Sequence, residues 1–330
     1  MKKRVVSGMR TTGALHLGHY HGVLKNWLAL QHQHECFFFM ADWHALTTHY
    51  DAPEHILAHG KTMLIDWLSV GLDPNICHLF IQSRVPEHAV LHLLLSMITP
   101  LSWLERVPTY KDQQEKLKEK ELATYGFLGY PLLQSADILT YKANIIPVGE
   151  DQVAHIELTR EIARRFNHLY APQKPILPEP AALLTPHAKM PGLDGQKMSK
   201  SYHNTIGLRE DPASVYQKMK VMPTDPARIR RSDPGEPTCC PVYPFHQLYS
   251  SEEVNQWVLK GCRTAGIGCL DCKKTVCDTM TAHQAPFIEA GKAWEEQPQV
   301  LADIVEAGTE TARTIARQTL TEVQHAMGLV

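Results

Sequence analysis

The sequence predicts an α/β fold in which a doubly wound, Rossmann-like parallel sheet is followed by a mostly helical C-terminal region. Strand-like and helix-like segments alternate over the first 82 residues, six apolar residues at 36–41 indicate a buried strand, and the pattern becomes helical after residue 205. We predict two domains, 1–205 and 206–330, because domains usually span roughly 100–200 residues.

The alternation can be followed element by element. It predicts a strand at 3–7 that ends at Gly8, a turn-rich loop at 9–13, a helix from about Gly18, a strand at 36–41, a helix at 53–70 and a strand at 78–82. Ligands bind beyond the carboxyl ends of such strands. This places residues 7–13, 41–47, 82–83 and 148–152 around one crevice.

Later segments are predicted from composition and periodicity. The charged stretch at 111–122 indicates a solvated helix, and residues 211–310 are helical in pattern except for a Pro/Arg/Asp loop at 223–237. We expect the last helix, at about 300–330, to pack back on the first domain.

Composition excludes several classes of protein. The chain is 44% hydrophobic and 21% charged with a net charge of -2, so any RNA contact must come from local basic clusters. No run approaches the ~18 apolar residues that a membrane span needs. We expect a cytoplasmic location and no membrane partner.

Two short motifs predict nucleotide chemistry. His16-Leu17-Gly18-His19 (HLGH) lies at a strand–loop–helix junction, where free amide donors suit a phosphate and a glycine allows close approach. The string KMSKS at 197–201 stands in a loop with Gly192 and Gly195, and its two lysines can reach one pyrophosphate. Cations there stabilise the leaving group of an in-line attack on the α-phosphate of ATP.

These motifs resemble the HIGH and KMSKS signatures of class I aminoacyl-tRNA synthetases. Further strings are similar to the tryptophanyl-tRNA synthetase family along nearly the whole chain: SGMRTTG at 7–13, ADWHALT at 41–47, PVGEDQ at 147–152 and HIELTR at 155–160. The resemblance implies that L-tryptophan and ATP, with Mg²⁺, give tryptophanyl-adenylate and pyrophosphate, and that tryptophan then moves to the 3′ end of tRNA(Trp). It also implies a homodimer.

The resemblance assigns residues by position. It implies that His16, His19, Lys197 and Lys200 are catalytic. The ATP-binding residues that it implies are Arg10, Thr11, Thr12, Gly18, His19, Gly149, Glu150, Asp151, Lys197, Met198, Ser199, Lys200 and Ser201. Many bacterial members have Gln-Pro in place of Arg10-Thr11 and Asn in place of His19.

A helical pattern at 130–139 is the candidate for amino-acid specificity. Tyr130, Gln134 and Asp137 fall on one face. In the family the aspartate matching Asp137 accepts the indole N–H, and a ligand without that donor is rejected because a buried unpaired carboxylate costs about 1–3 kcal/mol. The same spacing resembles tyrosyl-tRNA synthetases, so tyrosine stays open. The other tryptophan-binding residues that the match implies are Val6, His44, Ile146, Val148 and Gln152.

Four of the eight cysteines predict a metal centre. Cys240, Cys262, Cys269 and Cys272 end in a C-x2-C chelate, and four thiolates suit either zinc or a [4Fe–4S] cluster. The adjacent Cys239 leaves the first ligand open by one position. A subset of tryptophanyl-tRNA synthetases carries a [4Fe–4S] cluster on nearly this pattern, and the resemblance to that subset implies the cluster here.

A basic patch lies beside the cysteines. We expect Arg228, Arg230 and Arg231 to contact tRNA phosphates, with the helical domain binding the anticodon. Three alternatives remain: a tyrosyl-tRNA synthetase, an adenylate-forming nucleotidyltransferase that uses no tRNA, and a non-catalytic RNA-binding paralogue. Such a paralogue would be free to lose the motif histidine and lysines, which are all present.

Overall fold

The computed structural model describes residues 2–108, 124–184 and 190–330. The charged stretch predicted as a helix at 111–122 lies outside the described residues, as does the side chain of Ser201. The chain divides into two compact units. The first unit consists of Met1–Gly13, Asn26–Thr185 and Gln297–Val330, and the second of Ala14–Lys25 and Pro186–Glu296. The functional boundary expected after residue 205 stays a prediction.

The first unit is built on a parallel five-stranded sheet with the order β3-β2-β1-β4-β5. Its strands are β1 Arg4–Arg10, β2 Glu35–Ala41, β3 Cys77–Ile81, β4 Ile145–Val148 and β5 Ala181–Leu184. The order reverses between β1 and β4, and α/β sheets bind ligands at such a switch point. Arg10 ends β1 and Gly149 follows β4, so both predicted ATP segments flank the switch point. The predicted doubly wound fold is confirmed.

The α-helices of the described residues are α1 Leu17–His19, α2 Lys25–Gln33, α3 Asp42–Leu46, α4 Ile56–Ser69, α5 Glu87–Ser96, α6 Leu101–Glu105, α7 Tyr125–Thr140, α8 Val153–Tyr170, α9 Pro212–Val221, α10 Tyr243–Tyr249, α11 Glu252–Arg263, α12 Cys269–Glu295 and α13 Pro298–Ala326. A π-helical turn spans Tyr20–Leu24, and short 3₁₀ turns lie at Pro53–His55, Gln82–Arg84, Glu150–Gln152, Lys200–Tyr202 and Pro237–Cys239. None of these helices is long and apolar enough to cross a membrane.

A tightly packed core holds the sheet of the first unit. β2 is apolar from Cys36 onward and buried over the same residues, as expected for a central parallel strand. Helix α13 packs against β3, where Gly308 approaches Leu79 so closely that an added Cβ would lie 2.1 Å from the carbonyl oxygen. The close contact requires glycine at this position and brings α13 onto the sheet.

The second unit is helical apart from loops, as the pattern at 211–310 predicts. Helix α9 begins where Asp211 accepts hydrogen bonds from the amides of Ala213 and Ser214. It packs against α12, and each helix buries apolar side chains, among them Val215 on α9 and Val276 on α12. The predicted loop at 223–237 lies between α9 and the 3₁₀ turn that precedes α10.

Candidate active site

The HLGH motif begins helix α1 in the second unit. The amide of His16 donates to Nδ1 of His19 over 3.2 Å, so a neutral His19 carries its hydrogen on Nε2. Burial and then Lys200 lower the pKa of His16 to about 4. Burial, His16, Lys200 and Lys197 lower the pKa of His19 well below its ordinary value. Both imidazoles are therefore neutral at pH 7, and Nε2–H of His19 is a neutral donor suited to a phosphate.

The KMSKS loop is organised by Asn204, a residue that the motif search missed. Nδ2 of Asn204 donates to Oδ1 of Asp194 (2.7 Å) and to the carbonyl of Lys197 (3.1 Å), while Oδ1 accepts from the amide of Ser199 at 2.8 Å. Gly192 lies against this amide, since an added Cβ would be 2.1 Å from Nδ2. The loop therefore has a defined shape that brackets Lys197.

The two motifs pack against each other although Lys197 follows His19 by 178 positions in the sequence. An added Cβ at Gly18 would lie 2.9 Å from Nδ1 of His16 and 3.6 Å from Cβ of Met198, whose side chain is buried. Gly18 thus leaves room for both the imidazole and the KMSKS loop. Lys200 is close enough to depress the pKa of both motif histidines, so the cations of one motif lie beside the donors of the other.

Asp137 lies on α7 in the first unit, where it is 2% exposed and holds a network of buried polar groups. Its Oδ1 accepts from Nε2 of Gln82 (2.7 Å) and pairs with Nδ1 of His88 (2.6 Å), and its Oδ2 pairs with Nε2 of His44 (2.7 Å). Nε2 of His88 in turn bonds the hydroxyl of Tyr141 at 2.6 Å. Burial raises the pKa of Asp137, but the bonds to His44 and His88 outweigh it and leave the pKa well below the usual value. Asp137 is therefore an ionised acceptor.

The network adds two residues to the predicted pocket set. Gln82 follows β3 at the carboxyl edge of the sheet, a position that placed it near the crevice, whereas His88 carried no sequence signal of a site. A carboxylate offers about four acceptor positions, and these three partners occupy three of them. Among the described residues, His44 is the one hydrogen-bond partner of Oδ2, and a carboxylate oxygen can accept a second hydrogen bond.

Arg10 and its neighbours also lie in the first unit. The Nη2 group of Arg10 donates to the hydroxyl of Thr48, and burial lowers the pKa of Arg10, while nearby Tyr130 raises it. Thr11 is buried and Thr12 is half-buried. Tyr130 packs its ring 5.5 Å from the ring of His155. The structure thus brings Arg10 near one of the predicted pocket residues.

The remaining predicted residues of the first unit differ in exposure. Three of them, Val6, Ile146 and Val148, are buried in the core cluster that also contains residues of α13. Gln134 and Gln152 are half-buried, and Nε2 of Gln152 donates to Oδ2 of Asp151 at 3.0 Å. The segment at 149–151 is half-buried at Gly149 and exposed beyond it.

The four predicted cysteine ligands lie in the second unit, after the turn that precedes α10, at the end of α11 and at the start of α12, and they are near enough to affect one another's pKa. Burial, together with the nearby Cys240, Cys262 and Cys269, raises the pKa of Cys272 to about 12. Cys239 is exposed, whereas Cys240 is half-buried and raises the pKa of Cys262 and of Cys272. Four thiols are a suitable donor set for zinc or iron. As they stand, however, no three His, Cys, Asp or Glu side chains among the described residues form a site for a metal ion.

The three arginines of the basic patch do not share one environment. Arg228 is buried, donating through Nη2 to the carbonyls of Ile267 (2.6 Å) and Arg231 (2.9 Å). Its guanidinium therefore supports the loop around Cys262, which corrects the expectation of three surface contacts. Arg230 and Arg231 are exposed, and Arg231 lies 3.7 Å from Asp271.

Comparison with known proteins places this geometry in a family. Residues 1–283 match the family of class I tRNA synthetases for W and Y. The chain is 53% identical over 394 aligned positions to a tryptophan–tRNA ligase of Ralstonia nicotianae, covering 99% of this chain and 98% of the relative. It is 52% identical to a tryptophan–tRNA ligase of Thermotoga maritima, covering 99% of both.

A solved structure agrees with these relatives. The tryptophanyl-tRNA synthetase of Campylobacter jejuni, crystallised with ADP and tryptophan, superimposes with a TM-score of 0.88 at 30% identity, covering 99% of this chain and 100% of that one. Since the sheet order, the paired HLGH and KMSKS motifs and the full-length similarity agree, the chain belongs to the tryptophan–tRNA ligases, a family of class I aminoacyl-tRNA synthetases.

Proposed function

We propose that the chain activates L-tryptophan with ATP and transfers the tryptophanyl group to tRNA(Trp). The observation that carries the proposal is the packing of HLGH against KMSKS, with neutral imidazole donors beside two lysines. Neutral donors and cations in one place suit a bound triphosphate that must lose pyrophosphate. The tryptophan–tRNA ligases that share up to 53% identity with the chain support the same reaction.

In the first step a carboxylate oxygen of tryptophan attacks the α-phosphorus of ATP. The bond between this phosphorus and the oxygen bridging to the β-phosphorus breaks, and pyrophosphate leaves. We assign Lys197 and Lys200 to the charge that grows on the pyrophosphate, and the imidazoles of His16 and His19 to hydrogen bonds with phosphate oxygens. Mg²⁺, when bound with ATP, neutralises further phosphate charge.

Other groups complete this ATP assignment. We assign Met198, Ser199 and Ser201 to the same phosphate-binding segment, which Gly18 allows to approach the imidazole of His16 closely. In the first unit, we assign ATP contacts to Arg10, Thr11 and Thr12 after β1 and to Gly149, Glu150 and Asp151 after β4, on both sides of the switch point.

In the second step the terminal ribose hydroxyl of tRNA(Trp) attacks the carbonyl carbon of tryptophanyl-adenylate. The mixed anhydride bond breaks and AMP leaves, so the tryptophanyl ester forms without a further cofactor. In this step the described residues hold the adenylate within reach of the tRNA end.

Tryptophan selection is assigned to Asp137. The network of Gln82, His88 and His44 keeps it ionised and fixed, and among the described residues Oδ2 has only His44 as a hydrogen-bond partner. The indole N–H fits Oδ2, because a charged acceptor binds a neutral donor strongly in a buried site. Tyr130, Gln134, Gln152, Val6, Ile146 and Val148 are assigned to the surroundings of the amino acid.

An exchange assay tests the first step. The protein with ATP, labelled pyrophosphate and each of the twenty amino acids in turn should incorporate label into ATP with tryptophan and not with the others. Exchange that depends on tyrosine would replace the proposal by a tyrosyl-tRNA synthetase. If none of the twenty amino acids supports exchange, the result would favour a non-catalytic paralogue.

We also propose a [4Fe–4S] cluster on Cys240, Cys262, Cys269 and Cys272, with zinc as the alternative. The proposal is supported by the effect that the four half-buried thiols have on one another's pKa and by the spacing of the cysteines. A bound cluster would link three separate segments of the second unit and stiffen the surface beside Arg230 and Arg231. Metal binding would also remove the thiol protons that burial now retains.

Protein purified without oxygen is expected to be brown, with a broad absorbance band near about 400 nm and about four iron atoms per chain. Cys240→Ser should abolish the colour, whereas Cys239→Ser should retain it because that thiol is exposed and lies outside the group. Colourless protein with one zinc per chain would support the alternative, and folded protein without metal would refute both.

Anticodon binding by the helical region is proposed from charge and exposure. Arg230 and Arg231 are exposed, and phosphate contacts give salt-dependent RNA affinity. Arg230→Glu together with Arg231→Glu should raise the KM for tRNA at least about tenfold and leave tryptophan-dependent exchange unchanged. Equal loss in both assays would show that the arginines support the fold and do not contact RNA.

A homodimer in the cytoplasm completes the proposal. Three exposed apolar side chains between the middle of α5 and the start of α6 support the dimer, since Leu93, Met97 and Leu101 are all more than half exposed. Sedimentation equilibrium should give twice the chain mass of 37.3 kDa, and a monomer at that mass would contradict the dimer.

A further inference from the structure

The turn that follows HLGH has an unusual backbone. Residues Tyr20–Leu24 form a π-helical turn, a conformation that is rare and often marks a functional site. Because the conformation is rare, side-chain contacts must select it over a regular α-helix. The first two residues of the turn, Tyr20 and His21, supply such contacts within the second unit.

Five rings form one connected group, which we call the ring cluster: Tyr20, His21, Tyr249, His283 and Phe287. Neighbouring centroids lie 5.1 to 5.5 Å apart, within the usual range for packed aromatic pairs. One hydrogen bond lies inside the cluster, between Nε2 of His21 and the hydroxyl of Tyr249 at 2.8 Å. The cluster therefore attaches the turn after HLGH to α10 and α12.

Tyr249 lies on helix α10, which buried side chains and hydrogen bonds hold in place. Phe245 and His246 on this helix are fully buried. The ring of His246 bonds the hydroxyl of Ser250 at 2.9 Å through Nδ1 and the carbonyl of Cys272 at 3.2 Å through Nε2. Because α10 is tied to α12 in this way, a contact from Tyr249 can hold a neighbouring segment in place.

The imidazole of His21 and the hydroxyl of Tyr249 keep the same protonation states near neutral pH. Burial, Lys25 and His283 lower the pKa of His21 to about 4, so its imidazole is neutral. Burial and Tyr20 raise the pKa of Tyr249, so its hydroxyl keeps its proton. A neutral imidazole and a phenol hydroxyl make one directional hydrogen bond that pH changes between about 6 and 8 do not break.

We propose that the hydrogen bond between His21 and Tyr249 is a positioning contact of the nucleotide site, which fixes the π-helical turn and thereby the direction of the His19 imidazole toward ATP. His21 is two residues beyond His19, so a shift of the turn moves the HLGH donors directly. Displacements of about 1 Å at such donors can cost up to about 100-fold in rate or affinity. The inference rests on the proposed role of HLGH in ATP binding.

Tyr249→Phe tests the contact because it removes one oxygen and keeps the ring in the cluster. We expect the KM for ATP in pyrophosphate exchange to rise about fivefold to tenfold, while the KM for tryptophan and kcat change less than about twofold. His21→Ala should give a similar rise, and the double variant no more than the larger single effect, because both changes remove the same bond.

Tyr243→Phe is the matched control, since Tyr243 begins the same helix and lies outside the ring cluster. It should leave both KM values unchanged. Active-site titration and the urea midpoint of each variant separate positioning from loss of folded protein. An unchanged KM for ATP in Tyr249→Phe, additive effects in the double variant, or equal changes in both KM values and kcat would overturn the proposal.

Two measurements distinguish a failure of this inference from a failure of the proposed function. If the unsubstituted protein shows no tryptophan-dependent exchange, the proposed function fails. Calorimetric binding of ATP to the unsubstituted and Tyr249→Phe proteins then tests the positioning contact alone, with a weaker affinity expected in the variant and equal affinities contradicting the contact.

Discussion

Replacing Asp137 by asparagine is expected to lower kcat/KM for tryptophan about 100-fold or more and to change the KM for ATP less than about twofold. The substitution keeps the shape of the side chain but removes the charge that His44, His88 and Gln82 surround. A neutral amide is a weaker acceptor for the indole N–H, and its NH₂ group can face a donor instead. Pyrophosphate exchange with tryptophan varied at saturating ATP measures the effect.

An analogue lacking the indole N–H separates selection from general damage. In benzothienylalanine, sulfur replaces the N–H group. The unsubstituted protein should be much less active with this analogue as its substrate than with tryptophan. Asp137→Asn should show a much smaller difference between tryptophan and the analogue. Asp303→Asn is the control, because Asp303 is exposed on α13 and bonds only Gln299 among the described residues. An undiminished preference for tryptophan in Asp137→Asn would exclude this carboxylate as the group that reads the ring nitrogen.

Replacing Lys200 by methionine is expected to lower kcat of exchange about 100-fold, or about 2.7 kcal/mol of transition-state stabilisation. The cation lies beside the HLGH imidazoles, since it lowers the pKa of both. Its proposed target, the departing pyrophosphate, gains charge in the transition state, so the loss should fall on kcat more than on either KM. Single-turnover adenylate formation measures the step directly.

Two further variants test whether the charge of Lys200 is responsible for the effect. Lys200→Arg keeps the positive charge and should recover part of the rate. If the shape of the side chain alone mattered, Lys200→Arg would recover none of it. Lys260→Met removes an exposed lysine on α11 and should leave exchange unchanged. If Lys200→Met lowered affinity for tryptophan and left kcat intact, the assignment to the pyrophosphate would be wrong.

Contiguous motifs and helical spacing explain why much of the site was predictable. HLGH and KMSKS are each carried by neighbouring residues, and Asp137 lies at helical spacing from Tyr130 and Gln134. Asn204 and His88 escaped prediction because their partners are brought to them only by folding. Arg228 and Arg230 show the same limit in another form, since the two residue types are identical and only tertiary packing buries the first.

The elements of the sheet were predictable for similar reasons. Alternation and the apolar run at 36–41 indicate parallel strands before any tertiary information is used. β1 continues to Arg10, beyond its predicted end at residue 7, because Met9 and Arg10 still pair with Met40 and Ala41 of β2. The π-helical turn at Tyr20–Leu24 has no distinct hydrophobic period, so the sequence predicted an ordinary helix there.

Aminoacylation tests the central claim most directly. The protein, ATP, Mg²⁺ and labelled tryptophan are incubated with a tRNA(Trp) transcript, with a tRNA(Tyr) transcript and labelled tyrosine in parallel. We predict acid-precipitable tryptophan on tRNA(Trp) with one AMP released per tryptophan attached, and no tyrosine on tRNA(Tyr). Charging of tRNA(Tyr) with tyrosine, or adenylate formation without transfer to either tRNA, would contradict the assignment as a tryptophan–tRNA ligase.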